Sequence, residues 1–266
     1  MNHLYRHLAP ITADTWESLD DEARTRLAPP LGGRTLVDFV GPLGWQYSAS
    51  NVGRVTAGLD APMDGISVSR RVVLPLVEVR ADFTLLRSEL DATARGAVDT
   101  DLSPLDTAAA KLATMENSAI FLGWDAAGIA GIVPSSPHEP LTQNDDPTHL
   151  AQLVGTAVET LARSGVGGPY GMAVDSANWA QVIGGNDTGG QSLRHHLERE
   201  LGGSVVWTPG IDGAVVVSLR GGDFIFESGE DISLGYAAHT IDDVKLYLEE
   251  SFSFRIATPE AAIAIS

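Results

Sequence analysis

The chain has 266 residues, 44% of them hydrophobic, which is enough for one large apolar core or two smaller ones. It contains no cysteine, so disulfides and thiolate metal sites are excluded. The 35 acidic and 17 basic residues give a formal net charge of −18; such a chain repels phosphate backbones, so nucleic acid is not an expected partner. No apolar run is long enough to span a membrane, and none follows Met1 as in a secretory signal. We therefore expect a cytoplasmic protein without a membrane partner.

The first predicted helix begins after Thr12, whose side chain can cap it, and ends at Pro29-Pro30, which cannot continue it. One face carries apolar side chains at helical spacing: Trp16, Leu19, Ala23 and Leu27. Two interpretations stay open. The stripe packs on the protein's own core, as is usual, or it is only partly covered and receives a partner.

From residue 34 to residue 83 the pattern changes to strands. Residues 34–39 are predicted as a short strand, and the glycines, aspartates and proline of 58–65 as a turn. Together the segments on both sides of this turn predict a long two-stranded hairpin with few apolar residues near its tip. An isolated hairpin is marginally stable in water, so we expect another chain to support it.

The rest of the chain mixes helices and strands without a regular βαβ rhythm and without internal repeats, which predicts the α+β class. A helix of about twenty residues from Ser103 is the longest and resembles a central spine. Residues 134–146 form a Pro/Asn/Asp-rich link and a candidate domain boundary. Helices are then predicted over 150–161, 176–179 and 192–201, and strands over 170–174, 205–207, 214–219, 224–226 and 244–256.

No catalytic constellation can be identified. There is no G-x-S-x-G elbow, no P-loop and no H-E-x-x-H pair, and the glycine-rich run 165–171 lacks the context of a dinucleotide site. His195 and His196 are adjacent and so point to different sides of a helix, which makes a poor metal site. We therefore predict no catalytic residues, no metal and no cofactor. The acidity indicates solubility or, alternatively, a surface that attracts cations.

Short blocks along the whole chain resemble the family 1 encapsulins, linocin-like shell proteins that share ancestry with tailed-phage capsid proteins. The blocks occur in the family's order and together are highly specific. They are Leu4-Tyr5-Arg6, Leu8-Ala9-Pro10-Ile11-Thr12 with Trp16, Gly33-Arg34 with Val37-Asp38, Gly41-Pro42 with Gly44-Trp45, Phe83-Thr84-Leu85, Glu89-Leu90-Asp91, Arg95-Gly96, Gly165-Val166, Gly168-Pro169-Tyr170, Ile211-Asp212-Gly213-Ala214, Arg220-Gly221-Gly222-Asp223-Phe224, Asp231-Ile232-Ser233-Leu234-Gly235-Tyr236 and Val244-Lys245-Leu246-Tyr247-Leu248-Glu249-Glu250.

This resemblance implies an HK97-like capsid fold with a peripheral domain, an axial domain and an extended loop. The parts expected from it are an N-terminal cargo-docking helix and arm (1–40), the extended-loop hairpin (41–82), a peripheral domain with the spine helix (83–133), an axial domain (134–222) and peripheral C-terminal strands (223–266).

The resemblance also implies two sites. A groove beside the N-terminal helix is expected to bind the short C-terminal peptide of a cargo enzyme through Trp16, Leu19, Leu27, Arg34, Asp38, Asp231, Ile232 and Leu234. An apolar groove with charged edges suits such a peptide. A loop with little side chain is expected near a five-fold pore: Gly184, Gly185, Asn186, Asp187, Thr188, Gly189 and Gly190. The alternative for that loop is an ordinary mobile connection.

The leading hypothesis is therefore a non-catalytic subunit that self-assembles into an icosahedral shell. The shell would enclose a cargo enzyme, a dye-decolorising peroxidase or a ferritin-like protein, and its pores would pass small substrates or ions. The alternatives are a peptidase or bacteriocin-like enzyme, a label attached to relatives, and a phage major capsid protein.

Overall fold

Helices and strands alternate irregularly along the chain, and this arrangement confirms the α+β class. The computed structural model describes residues 3–144, 147–186 and 190–266. Its α-helices are α1 (Ala13–Leu27), α2 (Arg87–Ala94), α3 (Ser103–Phe121), α4 (Ile132–Ser135), α5 (Pro147–Arg163), α6 (Ser176–Gly184) and α7 (Leu193–Leu201).

The described strands form two larger sheets and two two-stranded ladders. In chain order they are β1 (Asp38–Val40), β2 (Ala49–Leu59), β3 (Val68–Pro75), β4 (Val77–Leu86), β5 (Gly123–Trp124), β6 (Ile129–Ala130), β7 (Tyr170–Val174), β8 (Val205–Trp207), β9 (Ala214–Ser218), β10 (Phe224–Ser228), β11 (Ser233–His239), β12 (Asp243–Ile256) and β13 (Ala262–Ile265).

The 14-residue strand β12 organises the five-stranded sheet. Its first part lies between β4 and β11, and its second part pairs with β10, in each case antiparallel. The short strand β1 joins the far edge of β10 in parallel. Because β12 is buried over most of its length, the sheet forms the centre of this part of the molecule.

The second sheet has the order β13-β9-β7-β8 and lies beside helices α5, α6 and α7. Its last strand comes from the C-terminal segment 223–266, which was predicted as peripheral throughout. In the structure β13 pairs with β9 from Ala262↔Val217 to Ile265↔Ala214, so the end of the chain lies with the region predicted as axial. The predicted domain bounds stay predictions.

The spine helix α3 joins the two apolar cores. Its first half contributes Leu105 and Leu112 to a core shared with α1, β4, β11 and β12. Its last turn contributes Ile120 and Phe121 to a core shared with the four-stranded sheet. With 19 residues it is the longest described helix, as predicted.

The predicted hairpin is formed by β2 and β3, which pair only with each other among the described strands. Most of its residues are exposed on both faces. The neighbouring strand β4 was predicted as part of this excursion up to residue 82. It instead pairs with β12 along its whole length, from Val77↔Phe252 to Leu86↔Asp243.

Local predictions hold where a side chain has a clear role at a helix end. The Thr12 hydroxyl accepts a hydrogen bond from the Thr15 N–H at 3.2 Å and caps α1. The predicted strand over 34–39 is wrong over residues 34–37, because Gly33–Thr35 form a 3-10 turn that directs Arg34 toward buried carboxylates and the strand begins only at Asp38. Helix α6 is longer than predicted, and α2, β11 and β13 were not predicted.

Asn117 is a fully buried polar residue on α3 that fixes two loops against the helix. Its side-chain NH2 donates to the carbonyls of Pro30 at 2.7 Å and Pro209 at 2.9 Å. Its side-chain carbonyl accepts from the Gly33 N–H at 2.9 Å. These three hydrogen bonds satisfy the Asn117 side chain, so the amide sets where the chain after α1 meets the spine helix.

We expect Asn117→Ala to destabilise the protein by about 3 kcal/mol, because one N–H and two carbonyls lose their partner away from water. The melting temperature should fall by about 5–10 °C in a thermal scan. The control is Ser118→Ala, which removes only the bond to the Gly210 carbonyl, and should cost about 1 kcal/mol. Equal effects of the two changes would contradict this role of Asn117.

Candidate functional site

A groove of about 390 Å³ lies between α1, the N-terminal arm and the start of β11. Its centre is aliphatic and its rim carries charges of both signs. The lining residues are Leu4, Arg6, Asp20, Ala23, Arg24, Leu27, Ala28, Leu31, Arg34, Asp231, Ile232, Ser233, Leu234 and Leu248. An aliphatic floor with a few placed polar groups is the usual composition of a binding groove.

The N-terminal arm forms one wall of the groove. The Leu4 carbonyl accepts from the Tyr236 N–H at 2.9 Å, which fixes the arm to β11. The Arg6 guanidinium donates to Asp20 at 2.7 Å and lies 4.2 Å from the ring centroid of Trp16. This combined ion pair and cation–π contact holds the arm on α1.

The structure brings five of the eight predicted docking residues together in the groove: Leu27, Arg34, Asp231, Ile232 and Leu234. Two others lie beneath it. Trp16 and Leu19 do not line the groove and belong to the core, because the stripe of α1 packs inward on α3.

Asp38 is not brought to the groove. It lies on β1 in a separate small pocket of about 150 Å³, where its carboxylate accepts from the Gly222 N–H. Its role is to hold the turn before β10, and we exclude it from the groove.

Behind the groove, one guanidinium contacts three carboxylates. The Arg34 Nε donates to both oxygens of Glu116 at 2.7 and 2.9 Å, and Nη2 contacts Glu250 at 2.7 Å. Nη1 donates to Asp231, whose side chain is 44% exposed and faces the groove. Burial opposes the charge of Arg34, but the surrounding carboxylates outweigh it and raise the pKa of the guanidinium above its usual value.

Glu250 holds its proton more tightly than an ordinary glutamate. Its side chain is 1% exposed, and loss of water raises its pKa well above the usual carboxyl value of 4.5. Repulsion from Glu116 adds to the effect, while Arg34 only partly offsets it. The cluster therefore binds a proton at pH values where an ordinary glutamate has lost it.

Sequence reasoning missed Leu4, Arg6, Glu116 and Glu250. The sequence could have revealed Glu116 and Glu250, because each places a carboxylate at a position that the surrounding apolar pattern directs toward the core. Glu116 follows Leu112 by four residues on α3, and Glu250 continues the alternation of Leu246 and Leu248 on β12. A buried charge requires a partner, and Arg34 is that partner.

The predicted pore loop connects α6 to α7. Gly184 ends α6, Gly185 accepts from the Leu193 N–H at 3.0 Å, and Asn186 forms a bridge with Ser192. Gly190 has a φ of +79°. Asp187, Thr188 and Gly189 lie outside the described residues, and the placement of the loop near a pore stays a prediction.

Residues 3–144, 147–186 and 190–266 contain no group of three or more His, Asp or Glu side chains that could hold a metal ion. No helix among them is both long and apolar enough to cross a membrane.

We expect Glu250→Gln to flatten the pH dependence of stability. A raised pKa in the folded state stabilises the wild type below pH 4.5, and this contribution is lost as the pH rises through the folded-state pKa. A glutamine cannot ionise, so the variant should lose less melting temperature than the wild type as the pH rises above 4.5. Glu17→Gln, on the exposed face of α1, is the control. An equally steep loss in Glu250→Gln would contradict the buried proton.

Comparison with known proteins shows which family the chain resembles over its length. Residues 1–253 match the family described as "Encapsulating protein for peroxidase". The type 1 encapsulin shell protein of Rhodospirillum rubrum is 41% identical, over all of this chain and 96% of its own length. A virus-like particle from Pyrococcus furiosus has the same fold, with a TM-score of 0.68 and 18% identity over 96% of this chain and all of that one. A chain from Mycobacterium phage Ogopogo matches with a TM-score of 0.55 and 13% identity over 88% of this chain and 90% of its own.

These likenesses confirm the HK97-like capsid fold and the relationship inferred from the short blocks. The two structures establish the fold alone, because their sequences are distant. The full-length match to a shell protein establishes the family. The chain belongs to the type 1 encapsulin shell proteins.

Proposed function

We propose that this chain is a shell subunit that assembles with copies of itself into a hollow icosahedral compartment around a cargo enzyme. The observation that carries the proposal is the full-length match to proteins named as encapsulin shells. The exposed β2–β3 hairpin supports it, because a two-stranded ribbon with little core of its own is stabilised by another chain.

The prediction that the chain is not an enzyme is confirmed by the same family, whose members are named for encapsulation. For a peptidase or bacteriocin-like enzyme, no catalytic residues can be identified in the sequence. The phage capsid alternative shares the fold, but the phage chain is only 13% identical, against 41% for the shell protein.

The groove beside α1 is proposed as the docking site for the cargo's C-terminal peptide. Its volume of about 390 Å³ fits a few side chains of an extended peptide. Leu27, Ile232 and Leu234 offer apolar contact, and the half-exposed Asp231 with Arg34 supplies polar groups that fix the register. Many identical grooves in one shell make weak docking effective.

A dye-decolorising peroxidase is the proposed cargo, because the matched family is described as encapsulating a peroxidase. A ferritin-like protein is the second choice. We further propose that the compartment is cytoplasmic, that it carries no nucleic acid, and that the Gly184–Gly190 loop lines a pore for small substrates or ions. The charge of −18 supports the exclusion of nucleic acid.

The assembly proposal is tested by negative-stain electron microscopy of the purified chain, together with light scattering. We expect uniform hollow particles of megadalton mass. A stable monomer or small oligomer at all concentrations would overturn the proposal.

The docking proposal is tested with Ile232→Asp, which places a charge in the aliphatic centre of the groove. Each shell is co-expressed with a dye-decolorising peroxidase that ends in a short Gly/Leu-rich peptide, and haem absorbance per shell counts the cargo. We expect about tenfold less cargo in intact particles, because an unpaired carboxylate is costly in an apolar contact.

Ile241→Asp is the matched control, since Ile241 is 82% exposed and lies outside the groove. Its shells should load cargo like the wild type. If Ile232→Asp shells also load normally, the peptide binds elsewhere and the groove assignment fails.

A further inference from the structure

A cavity of about 520 Å³ lies between the root of the β2–β3 hairpin and the end of β12, apart from the groove beside α1. Apolar side chains form most of its wall, and the polar side chains there are those of Arg54, Ser135 and Arg255. No acidic side chain is among the described residues that line it, although the whole chain has 35 acidic residues against 17 basic ones. The cavity therefore combines an apolar wall with two positive charges on a chain of −18.

Neither guanidinium of the cavity has a carboxylate partner within the described residues. Arg54, on β2, is exposed. Arg255, on β12, is half-buried, and its Nε is shielded from solvent without a hydrogen-bond acceptor in the described part of the chain. The carboxylate of Glu227 is on the same face of the sheet, but it accepts from the Tyr47 hydroxyl at 2.7 Å. Because a shielded donor without an acceptor is costly, the Arg255 guanidinium favours an anionic partner in the cavity.

The cavity also follows an open edge of β12. Residues 254–257 line it consecutively, and successive side chains of a strand point to opposite faces, so the cavity lies at an edge of the strand. One edge there pairs with β10, whereas no described strand pairs with the other edge beyond Phe252. The Ala257 N–H donates to a carbonyl on the β10 side. By the alternation of an antiparallel ladder, Phe254 and Ile256 direct their N–H groups to the open edge and add two donors to this region.

The chemistry of the wall defines the class of occupant. A guanidinium pairs well with a carboxylate, because two of its N–H groups can donate in parallel to the two oxygens. Two like charges that share one cavity repel each other, and an anion between them offsets this repulsion. A volume of about 520 Å³ is far larger than one carboxylate needs and lies in the range of sites for small organic molecules. An occupant that uses the whole cavity has an anionic head and an apolar body.

We propose that this cavity binds a small organic carboxylate with an apolar body. The carboxylate lies between the guanidiniums of Arg54 and Arg255, and the Ser135 hydroxyl can donate to the same oxygens. The apolar body packs against Leu74 and Ile256. The site is built within one chain, so it goes beyond the proposed shell function and does not depend on it. Each subunit then carries a small-molecule site in addition to the groove beside α1.

The site is tested by isothermal titration calorimetry of the purified full chain with three probes. Hexanoate carries both the carboxylate and an apolar body, acetate carries the head alone, and hexanol carries the body alone. We expect saturable binding of hexanoate at about one site per chain. Acetate and hexanol should each bind at least about tenfold more weakly, because each lacks one set of contacts. No saturable binding of hexanoate, or acetate binding as tight as that of hexanoate, would overturn the proposal, since the latter indicates an adventitious ion only.

Three variants with the same change in charge locate the site. R54Q and R255Q each remove one guanidinium of the cavity, whereas R163Q removes an exposed one on α5 that pairs with Glu159 and lines neither this cavity nor the groove beside α1. Hexanoate should bind about tenfold more weakly to R54Q and R255Q than to the wild type, and equally well to R163Q. Equal affinities of all three variants contradict the assignment. Because Arg54 is exposed, R54Q keeps the test valid if R255Q fails to fold.

A measurement on the wild type is independent of how the variants fold. An arginine-specific dicarbonyl reagent is applied with and without hexanoate, and the labelled residues are identified by mass spectrometry. We expect hexanoate to slow the labelling of Arg54 and Arg255 and to leave that of Arg163 unchanged. Equal labelling in both samples overturns the site but not the proposed shell. A chain that shows this protection yet forms no particles confirms the site and overturns the shell alone.

Discussion

The guanidinium of Arg34 holds four distant segments of the chain at one point. It contacts Glu116 on α3, Asp231 before β11 and Glu250 on β12, residues separated from it by 82, 197 and 216 positions. Removing one partner from such a cluster leaves a buried charge uncompensated, which is far more costly than losing a surface pair. The turn after α1 and the turn before β11 are therefore fixed relative to the spine helix, and these two turns are the far wall of the groove.

Amphipathic helices were the part of the fold that the sequence predicted well. The stripe of α1 and the long run of α3 are periodic because each helix buries one face. Helix α2 has only Leu90 buried, so it offers no stripe to detect. The short strand β13 reads Ala-Ile-Ala-Ile, and nothing local in these four residues indicates a pairing with β9, which lies more than forty positions earlier.

The sequence predicted only part of the candidate site. Ile232 and Leu234 were found through a family resemblance, and the structure brings them to Leu27 in one groove. The resemblance could not separate residues that face the groove from those beneath it, such as Leu19, because both recur with the same period. The two buried ionic partners of Arg34, Glu116 and Glu250, were absent from the prediction, since pairing across 82 or 216 positions depends on the tertiary fold.

The β2–β3 ribbon has two long edges that no other described strand covers. Open edges are templates for strand addition, and proteins protect them with charged side chains. Arg54, Arg70 and Arg71 repel the corresponding arginines of another ribbon, so two hairpins in a crowded population of new subunits do not zip together. The three arginines thus disfavour pairing between the ribbons of two copies, which lowers the risk of aggregation through these open edges.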